Sequence, residues 1–283
     1  MKLAVESPGG RHPAYAYTGG KPFDASLPAI VFIHGAMHDH SVWTLLARWF
    51  AHHDHAVLAP DLPGHAQSPG RPLESVEAIA DWLLALLDAA GVDEAVLVGH
   101  SMGSLIALEA AARAPARVER LVMVATAYPM AVSPALLEAG EQDPLAAIDS
   151  VNALSISTMA GKPSYPGPGT WLHGANRILS RRLQLAQRDA NLFLTDFRVC
   201  DRYRNGLEAA ARVVCPTTLV LGARDQMTGP KHSAGIAAAL RARVVMLPSG
   251  HSIMSEAPDA LLAAVREAVG QKAAAPTAGV PGH

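Results

Sequence analysis

Short apolar segments alternate with longer segments of helical periodicity along most of this chain, and this alternation restricts the fold more than any other feature of the sequence. Such alternation is typical of an α/β fold, in which a mostly parallel sheet is covered by helices. The candidate strands are brief and carry no internal charge, as expected for strands that are buried on both faces. They span residues 29–33, 56–59, 95–98, 121–125, 217–221 and 244–247.

Two further patterns complete the predicted core. Apolar side chains repeat at helical spacing over residues 76–87, with Glu77 and Asp81 outside that stripe, which indicates a helix packed on the sheet. Residues 2–6 and 12–17 show a weaker alternation, from which we predict an antiparallel hairpin at the sheet edge.

Between residues 128 and 212 the alternation stops, and we find helical patterns alone, at 134–139, 144–157, 175–189 and 191–204. We therefore predict a helical insertion over 128–212, between a first core part (1–127) and a second core part (213–270). Residues 161–174 contain three prolines and four glycines, which predicts an irregular connection inside the insertion. The tail, 271–283, has almost no core-forming residues, and we expect it to be disordered.

Length and composition favour one large globular domain. The chain has 283 residues, of which 50% are hydrophobic and 17% charged, enough apolar material for a sizeable core. The formal net charge of −2 gives no reason to expect nucleic acid or an anionic membrane as a partner.

The two cysteines, Cys200 and Cys215, exclude a disulfide framework, and we expect a cytoplasmic location. We expect no export signal, because the apolar run at the start of the sequence is too short for a signal peptide. We expect no membrane span, because prolines interrupt the longest uncharged stretch. The oligomeric state is left open.

A G-x-S-x-G motif centred on Ser101 lies between a candidate strand and a helical pattern. In this context the motif indicates a catalytic serine, because a sharp strand-to-helix turn raises the central side chain above the sheet edge. Gly99 and Gly103 are required on this interpretation, since side chains at those positions would collide with the neighbouring strand and helix. We predict that Ser101 is a nucleophile.

A serine hydroxyl needs a base and an acid to act as a nucleophile near neutral pH. Asp225 and His251 each follow the carboxyl end of a candidate strand, where residues of a parallel sheet converge on one crevice. We predict that His251 is the base, that Asp225 orients it, and that Asp61 only stabilises a turn. Oxyanion donors are predicted at the backbone N–H groups of Met102 and Ala36, with Met37 as a weaker alternative to Ala36. This chemistry requires no cofactor.

Five motifs follow one another along nearly the whole chain, namely His34-Gly35-Ala36, Asp61-Leu62-Pro63-Gly64-His65, Gly99-His100-Ser101-Met102-Gly103, Gly222 to Asp225 with Thr228, and Gly250-His251. In their types and their order, these motifs resemble those of the α/β-hydrolase family. The resemblance implies an eight-stranded, mostly parallel sheet with a helical cap inserted after the sixth strand. Within the family, the chain looks most like the capped serine esterase and carbon-carbon hydrolase branch. Ser104 departs from the pattern, since many relatives have glycine there, and we expect it to affect helix packing more than chemistry.

Hydrolysis of a small or medium carboxylic ester is the function that we predict. One alternative is cleavage of a carbon-carbon bond in a vinylogous diketone, although Ser252, Ile253 and Met254 follow the histidine where such relatives generally have tryptophan. A second alternative is a non-enzymatic ligand receptor on the same fold. A haloperoxidase side activity is also compatible with an acyl-enzyme.

The substrate pocket and a metal site are less well defined by the sequence. We expect His38, Trp171 and Phe193 to contact substrate, with Met159 and Tyr165 in the same apolar roof. The other histidines near Asp39 and Asp54 lack a spacing that would place three ligands on one face, so no metal site is predicted.

Overall fold

The computed structural model describes residues 1–7, 10–157 and 171–270, and these residues form a sheet of eight strands. The spatial order is β1-β2-β4-β3-β5-β6-β7-β8. The pairs β1–β2 and β2–β4 are antiparallel, and every other pair is parallel. This topology confirms the predicted fold class and the edge hairpin. The strands are β1 (Lys2–Ser7), β2 (Gly10–Tyr17), β3 (Ala29–Ile33), β4 (Ala56–Pro60), β5 (Ala95–His100), β6 (Val118–Val124), β7 (Thr217–Gly222) and β8 (Arg243–Leu247).

Helices connect these strands and cover both faces of the sheet. Three short 3-10 turns, at His40–Trp43, Pro115–Arg117 and Pro230–Ser233, accompany them within the described residues. The α-helices of the described residues are α1 (Thr44–Ala51), α2 (Val76–Ala90), α3 (Met102–Arg113), α4 (Pro134–Gln142), α5 (Pro144–Ser155), α6 (Leu172–Ala186), α7 (Leu192–Arg202), α8 (Gly206–Arg212), α9 (Ala234–Ala239), α10 (Ile253–Glu256) and α11 (Pro258–Val269). None of them is long and apolar enough to cross a lipid bilayer.

The sheet divides the apolar core into two clusters because successive residues of a strand point to opposite faces. In β3, Val31 and Ile33 pack with α2 and α3, whereas Ile30 and Phe32 pack with α1 and α11. Continuous burial of β3, β4, β5 and β7 agrees with the expectation for strands covered on both sides.

The last strand differs from that expectation. In β8, Val244 is 45% exposed and Met246 47% exposed, because β8 lies at the edge of the sheet and pairs with β7 alone. The prediction that all six strands are buried on both faces is therefore wrong for β8.

Helices α4 to α8 lie between β6 and β7, at the place where the sequence predicts a cap. Met37 of the core packs into a small cluster with Phe193 and Phe197 of α7 and Ile148 of α5. The last of these helices, α8, packs on α3 instead. The exact limits of the cap, residues 128 and 212, stay predictions. The predicted irregular connection lies mostly in 158–170 and the predicted disordered tail is 271–283, both outside the described residues.

Candidate active site

Ser101 lies at the junction of β5 and α3 with φ 51° and ψ −118°. A positive φ is uncommon for a residue with a side chain and carries a conformational cost, so the surroundings must hold it. The N–H of Ser101 donates to the carbonyl oxygen of Val124 at the end of β6, 2.9 Å away. The side chain of Ser101 lines a cavity above the sheet edge.

The glycines that flank this turn leave room for two close backbone contacts. A Cβ on Gly99 would collide with the backbone of Gly103, and a Cβ on Gly103 would collide with the carbonyl groups of Ile33 and His34. The turn can therefore lie against β3 only if both positions are glycine. These are the collisions that the sequence predicts for side chains at the two glycine positions of the motif.

Ser104 has a more direct contact with the turn than we predicted. Its hydroxyl donates to the carbonyl oxygen of Ser101 at 2.6 Å and lies 2.7 Å from the hydroxyl of Thr126. The residue that departs from the family pattern thus stabilises the backbone at the candidate nucleophile.

His251 and Asp225 form a buried pair at the ends of β8 and β7. Nδ1 of His251 donates to Oδ2 of Asp225 at 2.9 Å, so the other ring nitrogen, Nε2, is left to serve as a base. Thr228 donates to the same carboxylate from its N–H at 2.9 Å and its hydroxyl at 2.7 Å. Burial raises the pKa of Asp225, but the charge of His251 and these hydrogen bonds outweigh it, and the pKa lies well below its ordinary value.

A cavity of about 320 Å³ contains Ser101, His251, Ala36, His38 and Phe193 in its wall. Two of the three predicted substrate contacts, His38 and Phe193, thus border the space above Ser101. The ring of Trp171 lies over Gly174 at the start of α6, is 58% exposed, and is not among the described residues of the wall, so its contact with substrate stays a prediction. Met159 and Tyr165 lie outside the described residues.

The two predicted oxyanion donors have N–H groups available. Met102 is the first residue of α3, where a backbone N–H has no carbonyl partner within the helix. No described residue accepts a hydrogen bond from the N–H of Ala36. The N–H of Met37, the alternative donor, instead binds Oδ2 of Asp196 at 2.8 Å. Of the two loop positions, the geometry favours Ala36.

Sequence reasoning missed the residues that hold these loops in place. Asp196 contacts Met37 from 159 positions away, and Glu256 accepts hydrogen bonds from Gly250 (2.9 Å) and from the N–H of Ser157 (3.1 Å). No local motif marks either carboxylate. The available signal is only that an acidic residue occupies an otherwise apolar helix face.

Two neutral histidines border the cavity beside the pair. Burial lowers the pKa of His38, and burial together with the charge of His251 lowers the pKa of His100 much further. Nε2 of His100 donates to the backbone carbonyl of His251 at 3.0 Å and thus ties the histidine loop to the nucleophile turn.

Among the described residues, one group of potential metal ligands comes together, namely Asp39, His40 and Asp61, whose ligand atoms lie within 4.8 Å of one another. These atoms already have protein partners. Asp61 accepts from Nδ1 of His40 at 2.7 Å and from the N–H of Gln67 at 3.0 Å, and Asp39 accepts from Arg182 at 2.7 Å. The group is best described as a hydrogen-bonded network that stabilises the turn after β4.

Comparison with known sequences is consistent with this geometry. The sequence profile described as "Alpha/beta hydrolase family" matches residues 30–265. This span contains Ser101, Asp225 and His251, the strands β4 to β8 and the helices between β6 and β7.

Individual relatives extend the comparison. The chain is 42% identical over 102 residues to sn-1-specific diacylglycerol lipase ABHD11 of Mus musculus, which covers 36% of this chain and 33% of that protein. It is 31% identical over 210 residues to the pimeloyl-(acyl-carrier protein) methyl ester esterase of Chromobacterium violaceum, which covers 71% of this chain and 77% of the relative. A solved esterase from Exiguobacterium antarcticum has a TM-score of 0.78 at 15% identity, over 95% of this chain and 100% of that one. At such identity the structural likeness concerns the fold alone.

Proposed function

Because the chain belongs to the alpha/beta hydrolase family, we propose that it is a serine hydrolase that cleaves a small or medium carboxylic ester through an acyl-enzyme. The observation that carries this proposal is the arrangement of Ser101, His251 and Asp225. Ser101 stands on a positive-φ turn, and it shares a cavity with a histidine whose Nδ1 is held 2.9 Å from a buried carboxylate. The names of the relatives, a lipase and an esterase, support an ester as substrate.

In the proposed first half-reaction, Nε2 of His251 takes the hydroxyl proton of Ser101 while Oγ attacks the carbonyl carbon of the ester. The carbonyl oxygen becomes an oxyanion, which accepts hydrogen bonds from the N–H groups of Ala36 and Met102. When the tetrahedral intermediate collapses, the bond to the alcohol oxygen breaks, and His251 returns the proton to the leaving alcohol. The acyl group stays on Ser101.

In the second half-reaction, His251 deprotonates a water molecule that attacks the acyl carbon. A second tetrahedral intermediate forms and uses the same two N–H donors. Its collapse releases the carboxylic acid and returns the proton to Ser101. Asp225 stays ionised throughout, because its pKa is held well below the ordinary range, and it stabilises the imidazolium form of His251.

The cavity suits an ester with an apolar part. Its walls include the side chains of Met130, Ile148, Val151, Phe193 and Phe197. Its volume of about 320 Å³ is at the lower end of ligand pockets, which span about 300–1,000 Å³. Short and medium acyl chains are therefore expected to fit better than long ones.

Active-site labelling tests this proposal. A fluorophosphonate probe is expected to label the purified protein at Ser101, and the protein is expected to hydrolyse 4-nitrophenyl acetate and butyrate. Ser101→Ala serves as the control and should lose both properties while it remains folded. Correctly folded wild-type protein that neither reacts with the probe nor hydrolyses these esters would overturn the proposal, and cleavage of a vinylogous diketone without ester hydrolysis would favour the carbon-carbon alternative.

A further inference from the structure

The peptide group between Gly35 and Ala36 carries the proposed oxyanion donor, and its carbonyl side is held by two hydrogen bonds. The carbonyl oxygen of Gly35 accepts from the N–H of His38 at 3.3 Å and from Nδ1 of His34 at 2.9 Å. Nδ1 of His34 is the protonated nitrogen because Nε2 accepts from the N–H of Leu62 at 3.0 Å. In a planar trans peptide the N–H points opposite to the carbonyl oxygen, so these bonds turn the N–H of Ala36 to the other side.

The next peptide groups of the loop are held by the helices that lie between β6 and β7. The N–H of Met37 donates to Oδ2 of Asp196 on α7 at 2.8 Å, and its carbonyl oxygen accepts from the hydroxyl of Ser180 on α6 at 3.1 Å. Met37 has φ 57°, a conformation that costs free energy for a residue with a side chain. Contacts on both sides of Met37 therefore hold a residue that would otherwise relax.

The carboxylate of Asp196 is itself fixed from the core. Nε2 of His65 donates to Oδ2 of Asp196 at 3.0 Å, and Nδ1 of His65 donates to the carbonyl oxygen of Pro63 at 3.2 Å. A ring that donates from both nitrogens is the charged imidazolium. Asp196 is 2% exposed, so it forms a buried ion pair whose charge and position depend on both partners.

We propose that Asp196, with Ser180 as the second contact, is a positioning residue for the oxyanion donor Ala36. By holding Met37 in its positive-φ conformation, the two side chains restrict the backbone on the far side of Ala36 and keep its N–H aimed at the developing oxyanion. This inference rests on the proposed function, because it concerns a donor that acts only in the transition state of ester cleavage.

A double replacement separates positioning from structural support. In His65→Leu with Asp196→Val, apolar side chains replace the buried ion pair, an exchange that is often neutral or stabilising in other proteins. The N–H of Met37 then has no acceptor. We expect kcat for 4-nitrophenyl butyrate to fall by ~10- to ~1,000-fold with little change in KM, since removal of an oxyanion donor costs about 10²–10³ in kcat. Asp196→Asn keeps an acceptor oxygen for Met37 and should recover most of the lost kcat.

The matched control is Asp201→Asn on the same helix. Asp201 also accepts a backbone N–H, that of Val132 at 3.0 Å, but within the described part of the chain it makes no hydrogen bond to the loop that holds Ala36 and Met37 (the oxyanion loop). The kcat of Asp201→Asn should therefore stay close to that of the wild type. A double variant that melts at the wild-type temperature and keeps the wild-type kcat would overturn the proposal. If the double variant does not fold, Ser180→Ala decides: kcat should fall at unchanged KM, and a wild-type kcat contradicts the positioning role.

All effects are ratios to the wild-type enzyme. A wild-type protein that is inactive toward esters and the fluorophosphonate probe would remove the proposed function itself, whereas an active wild type with an unaffected double variant would remove only the role of Asp196.

Discussion

At the residue scale, each oxygen of the Asp225 carboxylate accepts two hydrogen bonds. Oδ1 accepts from the N–H groups of Met227 and Thr228, and Oδ2 accepts from the hydroxyl of Thr228 and from Nδ1 of His251. These donors keep the pKa of Asp225 low in spite of burial, so the carboxylate is ionised throughout the pH range in which His251 could act as a base.

Asp225→Asn tests the role of this carboxylate. The amide can offer an N–H where the wild type offers an acceptor, so the imidazole of His251 would take the wrong tautomer or turn away from Ser101. We expect kcat to fall by about 10⁴-fold while the fold is kept. Steady-state kinetics with 4-nitrophenyl butyrate and circular dichroism measure the two quantities.

The control for this substitution is Asp143→Asn, the same exchange at the N-cap of α5, where Asp143 accepts from Leu145 and Ala146. Asparagine is an equally good N-cap residue, so activity should not change. An undiminished kcat in Asp225→Asn would show that a side chain other than Asp225 orients the catalytic base.

At the scale of the element, the turn between β5 and α3 depends on two close backbone contacts. Gly103→Ala would place a methyl group against the carbonyl of Ile33 in β3, and either α3 or β3 must shift. Overpacking of this kind typically costs about 1–3 kcal/mol. We expect a lower melting temperature and slower labelling of Ser101 by a fluorophosphonate, because the shift moves the nucleophile.

Gly235→Ala is the matched control for that prediction. A Cβ on Gly235 in α9 meets no described atom within 4 Å, and alanine is favoured over glycine inside a helix by about 1 kcal/mol. Its melting temperature should be equal or higher and its labelling rate unchanged. Equal labelling rates and melting temperatures in both variants would show that the close contact at Gly103 does not constrain the turn.

The elements also show which patterns the sequence makes visible. The strand β3 coincides with the predicted span 29–33, because every residue of it is buried and apolar. The strand β6 begins at Val118, earlier than predicted, because Glu119 and Arg120 continue the strand at the surface and interrupt the apolar pattern. The apolar pattern predicts the strand β8 but not the exposure of its side chains. Hydrophobic periodicity and composition do not reveal which strand lies at the edge of a sheet.

In the candidate site, too, the sequence predicts features whose parts are adjacent in the chain. The turn of Ser101 could be predicted because its strand, glycines and helix are adjacent in the chain, and Asp225 and His251 because each follows its own strand. The contact of Asp196 with Met37, 159 positions away, could not be predicted, and neither could the contact of Glu256 with Ser157, 99 positions away.

At the scale of the whole molecule, the helices between β6 and β7 are fastened to two loops of the candidate site. Asp196 and Ser180 hold the oxyanion loop, whereas Glu256 joins Gly250, beside His251, to Ser157 after α5. The N–H of Ser252 also donates to the carbonyl oxygen of Ser155 at 2.9 Å. The helices that border the cavity are therefore hydrogen-bonded to the loops of the candidate site beneath them.

The ion pair of His65 and Asp196 gives this connection a pH dependence. Burial lowers the pKa of His65, but the charge and hydrogen bond of Asp196 outweigh burial, and Asp61 adds to them, so the pKa is raised. The neighbouring ring of His34 lies 4.9 Å away, and burial together with the charge of His65 holds the pKa of His34 well below its ordinary value. A raised pKa in the folded state means that the stabilisation is complete below the unfolded value of about 6.5 and is lost as the pH rises through the folded value.

We therefore expect the difference in free energy of unfolding between the wild type and His65→Leu with Asp196→Val to shift against the wild type as the pH rises from about 6 to about 9. Urea titrations of both proteins across this range measure the difference. His40, whose pKa is raised through its hydrogen bond to Asp61, titrates in both proteins and cancels. A difference that is constant, or that moves in favour of the wild type with rising pH, contradicts the assignment of a charged His65.

The hydrogen bonds of Asp196 and Ser180 to the backbone of Met37 have a consequence for engineering. A pocket reshaped by transplanting helices from a homologue would bring new walls, but it would also remove the carboxylate and the hydroxyl that face this loop unless both are carried along. On the proposed role of Asp196 and Ser180, selectivity and turnover are coupled in this scaffold, and libraries that randomise α6 and α7 should leave positions 180 and 196 untouched.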